Sequence, residues 1–172
     1  MRVTRRVVTG HDAQGRSVVL SDGPTPRTHE NEFAYFHELW NTKAMPAPVA
    51  PAEAEPTDRP LITPPDRHGT IVRVTVIKAG EQSPMHRTQS IDYGIVLEGE
   101  ITLVLDDSEV TLHAGDVVVQ RGTDHAWANR GSSVAKVAFI LVDGRFDPAL
   151  VEALPAGAVD RVSRGGPKDQ ES

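Results

Sequence analysis

From residue 69 onward the chain is a succession of short β-branched runs, "TIVRVTVIKAG", "IDYGIVLEGE", "ITLVLDD", "EVTLHAG", "DVVVQRG" and "VAKVAFILVDG", each closed by a Gly- or Asp-rich turn. No run is long enough to serve as a domain-spanning helix, and turn signals recur about every 8–12 residues, the rhythm of an antiparallel sandwich or barrel. Within "ITLVLDDSEV" a hairpin is expected: Ile101, Leu103 and Leu105 point one way, and Thr102, Val104 and Asp106 the other. This feature narrows the fold class to all-β.

The flanks differ in texture. "RVTRRVVTG" and "RSVVLSDG" read as two strands around the turn "HDAQG", followed by "EFAYFHELWNT". That segment holds half the chain's aromatics, Phe33, Tyr35, Phe36 and Trp40, and reads as a strand covered on both faces. Residues 46–65 hold seven of the thirteen prolines and are expected to form an extended linker or mobile loop. Near the end, "DPALVEALP" reads as a short helix with Asp147 as N-cap and Pro148 in its first turn, before a polar tail. The expected organisation is N-terminal strands over 1–45, a Pro-rich linker over 46–68, a barrel over 69–145, and a helix and tail over 146–172.

Composition removes several function classes. The net charge of −6, without a Lys/Arg cluster, lacks the electrostatic footprint of a nucleic-acid binder. With no cysteine, disulfides, thiolate zinc sites and iron–sulfur clusters are excluded. No run approaches the roughly 18 apolar residues of a membrane helix, and no apolar stretch follows the charged N-terminus as in a signal peptide. A cytoplasmic protein is the default expectation.

Seven histidines remain as carriers of chemistry. His11, His29 and His68 lie in turn-rich or charged segments, His113 beside an "AGD" turn faces outward, and His37 could face either the barrel or a partner. His86 and His125 stand apart because each sits at a strand edge among alternating residues. In "HRTQSID", His86 and Thr88 share a face to which Asp92 returns at the start of the next strand. In "HAWAN", His125, Trp127 and Asn129 share a face. Two imidazoles and one carboxylate converging there would suit Fe(II), and also Mn or Zn.

These residues stand in a recognisable register. Gly80, five residues, His86, Arg87, Thr88, three residues, Asp92, six residues and Gly99 resembles the first motif of the cupin superfamily, with Thr88 in place of its second His and Asp92 in place of its Glu. Gly115 followed by "DVVVQRGTDHAWAN" resembles the second motif, with Arg121 where proline is usual and His125 one residue early. The stretches "MHRTQSIDYGIVLEGEI" and "GDVVVQRGTDHAWANR" are further similar to small single-domain cupins, some described as cupin-domain oxidoreductases of natural-product pathways. The resemblance implies a double-stranded β-helix (jelly-roll) barrel, with His86, Asp92 and His125 at metal-ligand positions.

Thr is a poor ligand because its hydroxyl stays protonated, so Thr88 is expected to hydrogen-bond a water or substrate. Asp is one methylene shorter than Glu, which should weaken metal affinity. Gln89, Tyr93, Gln120 and Trp127 complete the expected substrate pocket. The expected function is a metal-dependent enzyme, of oxidoreductase/dioxygenase or lyase/isomerase type, acting on a small carbonyl or phenolic metabolite. Two alternatives stand beside it: Asp92 paired with Arg87 or Arg121 and no metal, or a metal-free ligand-binding barrel. A homodimer is expected, built on the aromatic strand 33–40.

Overall fold

A computed structural model describes residues 2–158. Eleven strands and one helix follow in order: β1 Arg5–His11, β2 Ser17–Pro24, β3 Arg27–Glu30, β4 Ala34–Thr42, β5 Thr70–Ile77, β6 Ser90–Glu98, β7 Glu100–Val104, β8 Glu109–His113, β9 Val117–Arg121, β10 Ala126–Ala128, β11 Ala135–Asp143 and α1 Pro148–Ala153. All pairings are antiparallel. A six-stranded sheet runs β3-β4-β5-β11-β6-β9, a three-stranded sheet runs β10-β7-β8, and β1-β2 form a separate ribbon.

The two larger sheets share one core. Ala34, Phe36, Ile77, Val96 and Val137 come from the first, and Ile101, Leu103, Leu112 and Trp127 from the second. Trp127 meets Phe139 edge-on across the gap, with ring centroids 5.1 Å apart. Alternation decides which residues enter that core. In β6, Ser90, Asp92, Gly94 and Val96 are buried, whereas Ile91 and Tyr93 are exposed. The expected all-β architecture and short terminal helix are observed. Asp147 caps α1 by accepting from the Ala149 amide at 2.9 Å. The polar tail expected beyond it lies mostly outside the described residues.

Two segments ahead of the barrel are held by contacts within the chain. Strand β4 is flanked by β3 and β5, and its aromatics find partners within the chain. Phe36 enters the core and meets Phe33 at 5.8 Å, Trp40 stacks beneath Arg6 and Tyr35 beneath Lys78. Strand β4, covered on both faces as its pattern suggests, thus places these aromatics against neighbours within the chain.

The Pro-rich segment has no regular structure, but it is tied down along its length. The His11 amide donates to Pro51 O at 2.9 Å, Asn41 Nδ2 to Pro56 O at 2.6 Å, and Arg73 to Ile62 O at 2.6 Å. Arg6 forks onto the Glu55 carboxylate at 2.9 and 2.6 Å, which holds Glu55 down at about 2. Proline supplies no amide donor, so this segment is fixed by side chains and carbonyls rather than by a ladder.

Candidate active site

His86 and His125 are brought together by backbone. They form an isolated antiparallel bridge in which each amide donates to the other's carbonyl at 2.9 Å. Their rings stand 4.2 Å apart between centroids, tilted by 50°. His86 Nδ1 lies 2.9 Å from Pro84 O, and His125 Nδ1 lies 3.0 Å from Thr123 O. A carbonyl can only accept, so in the neutral rings each Nδ1 carries the proton and each Nε2 keeps its lone pair. Burial, reinforced by neighbouring His86, pulls His125 down to about 4. It is therefore neutral near pH 7.

Asp92 lies on the inner face of β6 and is almost fully buried. Ser90 Oγ lies 2.6 Å from its Oδ1, and Thr88 Oγ1 lies 3.3 Å from its Oδ2. The two hydroxyls are themselves 2.8 Å apart. Burial raises the Asp92 carboxyl above its ordinary value, against the pull of these hydroxyls and of the charges on His86 and Arg73. Pairing with Arg87 or Arg121 is not what holds it. Arg87 donates to Gly122 O at 3.1 Å and reaches Asp124 at 3.4 Å, and Arg121 is exposed.

The cavity enclosing these groups is about 300 Å³, at the small end of ligand pockets. His86, Thr88, Asp92, Gln120, His125 and Trp127 all line it. Two expected pocket residues do not. Tyr93 points to the outer face of β6 because its neighbour Asp92 points inward. Gln89 lines a separate depression with Arg121 and Phe146. Asn129 is buried but structural, its side chain donating to Ile77 O at 3.1 Å and Ser133 O at 2.8 Å. His37 is likewise structural, with Nδ1 2.8 Å from Thr4 Oγ1.

Sequence reasoning missed Arg73, Phe33, Phe36, Leu61 and Phe139 as cavity residues. Arg73 could have been found. Alternation in "TIVRVTVI" puts it on one face with Ile71, Thr75 and Ile77, an inward arginine among apolar residues.

Whether a metal ion fits can be judged from the donors. The paired imidazoles, each with Nδ1 tied to a carbonyl so that Nε2 is the atom left to bind, match the way ligating histidines are oriented. The carboxylate does not complete the set. Among the described residues, no three His, Cys, Asp or Glu side chains gather closely enough to hold an ion. The expected convergence of Asp92 with both histidines is therefore not observed; its short side chain is engaged by Ser90 and Thr88. Two of the three residues expected as ligands, His86 and His125, stand together.

Comparison with known proteins agrees with this architecture. The cupin domain model matches residues 73–142. Phomopsin biosynthesis cluster protein C' of Diaporthe leptostromiformis is 34% identical over 96% of this chain and 94% of its own. The cupin-domain-containing oxidoreductase fogC of Aspergillus ruber is 36% identical, over 83% of this chain and 73% of its own. Among solved structures, the Schizosaccharomyces pombe Cnp3 cupin domain superposes with a TM-score of 0.51 over 89% of this chain and 94% of its own, at 12% identity, a likeness of fold alone. The two motifs, the paired sheets around one cavity, and relatives matched along most of their length place this chain in the cupin family.

Proposed function

We propose that the protein is a metal-dependent enzyme that turns over a small, mostly apolar metabolite bearing a carbonyl or phenolic oxygen, by oxidoreductase or lyase/isomerase chemistry. The observation that carries this is the pair of imidazoles, His86 and His125, side by side on the wall of a cavity that also holds Trp127 and Phe139. Relatives named as cupin-domain-containing oxidoreductases support the enzyme reading.

In this proposal Nε2 of His86 and Nε2 of His125 hold a divalent ion, Fe, Mn or Zn. When bound, the ion supplies Lewis-acid polarisation of a substrate oxygen or, as iron, redox capacity. The chain does the rest. Asp92, fixed by Ser90 and Thr88, supplies negative charge and a proton-accepting oxygen beside the pair. Trp127 and Phe139, meeting edge-on, form an aromatic wall, and Gln120 presents an amide whose nitrogen has no partner among the described residues. Next to the aromatic rings each polar contact is stronger than it would be in open water.

Elemental analysis of protein purified without chelator tests the reading. We expect about one ion per chain, lost in His125→Ala and His86→Ala. Metal-free wild-type protein would overturn it.

A second reading, a metal-free ligand-binding barrel, is favoured by the absence of a three-ligand group among the described residues. EDTA separates the two, since removing a bound ion lowers the melting temperature and a metal-free protein does not respond. A homodimer remains part of the proposal. Strands β3 and β9 are the edges of the six-stranded sheet, and sedimentation at micromolar concentration is its test.

A further inference from the structure

Arg73 occupies the middle of β5 and faces inward, 5% exposed, on the cavity wall. A guanidinium carries five N–H donors and no acceptor. One nitrogen donates to Ile62 O at 2.6 Å. Its Nε lies 3.0 Å from Glu38 Oε1, but neither atom is aligned for a hydrogen bond, so the contact is an ion pair only. Among the described residues no further acceptor is bonded to it. A buried cation with unused donors therefore borders a space whose apolar wall is Phe33, Phe36, Leu61, Trp127 and Phe139 and whose polar side includes Asp92, Gln120 and the two histidines.

We infer that the Arg73 guanidinium is the polar anchor of this cavity, donating to the neutral carbonyl oxygen of an otherwise apolar ligand. The inference rests on the reading above that the cavity takes a small carbonyl compound, and it adds the group that selects for one. An unused charged donor in a low-dielectric site favours any ligand that brings an acceptor. Charge then decides between acceptors. Glu38 already faces Arg73, and Asp92 lines the same cavity. Arg59 also acts on this pair but is itself bound to Asp66. A ligand carboxylate would therefore add a further acid beside Glu38 and Asp92 with no unpaired cation there to offset its desolvation. A carbonyl oxygen brings the acceptor without the charge. With its oxygen at Arg73, a flat ligand extends along the aromatic wall toward His86 and His125.

Three probes of similar size separate the contributions: acetophenone carries a carbonyl, ethylbenzene has the same shape without oxygen, and benzoate carries a full charge. Affinities are measured by calorimetry on wild-type protein, on Glu38→Gln, and on the double variant Glu38→Gln/Arg73→Met, which avoids leaving Glu38 buried opposite a lost cation. We expect acetophenone to bind about tenfold or more tightly than ethylbenzene in the wild type, the worth of a hydrogen bond to a charged donor. Benzoate should be weaker than acetophenone. Glu38→Gln should keep the carbonyl preference and the double variant should lose it, while ethylbenzene binding reports an intact cavity. Should the double variant fail to fold, Arg73→Lys, which keeps the charge and loses the fork, should reduce the preference.

Acetophenone no tighter than ethylbenzene in wild-type protein would overturn the inference. So would benzoate tighter than acetophenone, or a preference unchanged in a folded Arg73 variant. Repeating the series in EDTA separates this result from the metal reading. An Arg73-dependent preference that survives chelation stands even if no ion is ever found. A preference abolished by EDTA but kept without Arg73 supports the ion and overturns the anchor.

Discussion

His86 and His125 exchange two backbone hydrogen bonds of 2.9 Å, so their imidazoles stand beside one another before any ligand contributes. Main chain positions the pair, and the carbonyls of Pro84 and Thr123 orient the rings. Substituting either histidine should therefore alter the chemistry more than the fold. The neighbouring carboxylate is in a different position, since burial works against its charge.

Asp92 gives the first prediction. Its carboxyl is held above the ordinary range chiefly by burial. Asp92→Asn therefore removes a buried charge while keeping shape and one accepting oxygen, with the new NH2 donating to the other hydroxyl. In chelated protein, stability to urea should be unchanged or higher by about 1 kcal/mol. Ion content or turnover should fall. A loss of several kcal/mol in stability would show that the charge is needed by the fold itself.

The Glu38–Arg73 pair gives the second. Both side chains are about 6% exposed. Removing one partner strands a buried charge, so Glu38→Ala should cost about 3–5 kcal/mol in denaturant unfolding. Glu38→Met/Arg73→Met removes both charges and should cost far less than the sum of the single changes. Additive losses would mean that the two residues do not depend on each other.

Glu55 gives a pH dependence. The Arg6 fork depresses its carboxyl to about 2 from an ordinary 4.5. A depressed carboxyl stabilises the folded state fully above its ordinary value, and that contribution fades as pH falls toward 2. Its side chain is about a third exposed, so solvent screening reduces the contribution to about 1 kcal/mol. Wild-type protein should exceed Glu55→Gln by that amount at pH 7 and match it near pH 2, read from urea midpoints.

Two motif glycines should respond unequally to alanine. Gly99 has φ +77°, and an added Cβ would lie 2.8 Å from Val134 O. Gly80 has φ +74°, with nothing within 4 Å of such a Cβ. Gly99→Ala should cost about 2–4 kcal/mol, combining left-handed strain with a backbone clash, against about 1 kcal/mol for Gly80→Ala. Thermal melts of the two variants would decide it, and equal losses would assign the whole cost to φ.

Much of this was legible in the residues. Alternation in "SIDYGIV" places Asp92 inward, and the same alternation turns its neighbour Tyr93 out of the pocket. Strand β3, four residues of "RTHE", carries no apolar pattern and exists because β4 offers it an edge. The role of the Pro-rich segment was illegible for a related reason. Its ties run to Arg6, Asn41 and Arg73 on three different strands, and composition cannot reveal contacts that depend on how those strands are arranged. Asp92 failed to complete a triad because motif register specifies a residue's position on the strand but not the hydroxyls that engage its short side chain.

Leu61 and Thr63 of the Pro-rich segment line the cavity, and Ile62 between them braces Arg73 through its carbonyl. One side of the chamber is thus formed by a stretch that takes no part in either sheet. Replacing side chains there would reshape what enters while leaving strand register untouched, so selectivity can diversify independently of the scaffold that shelters it.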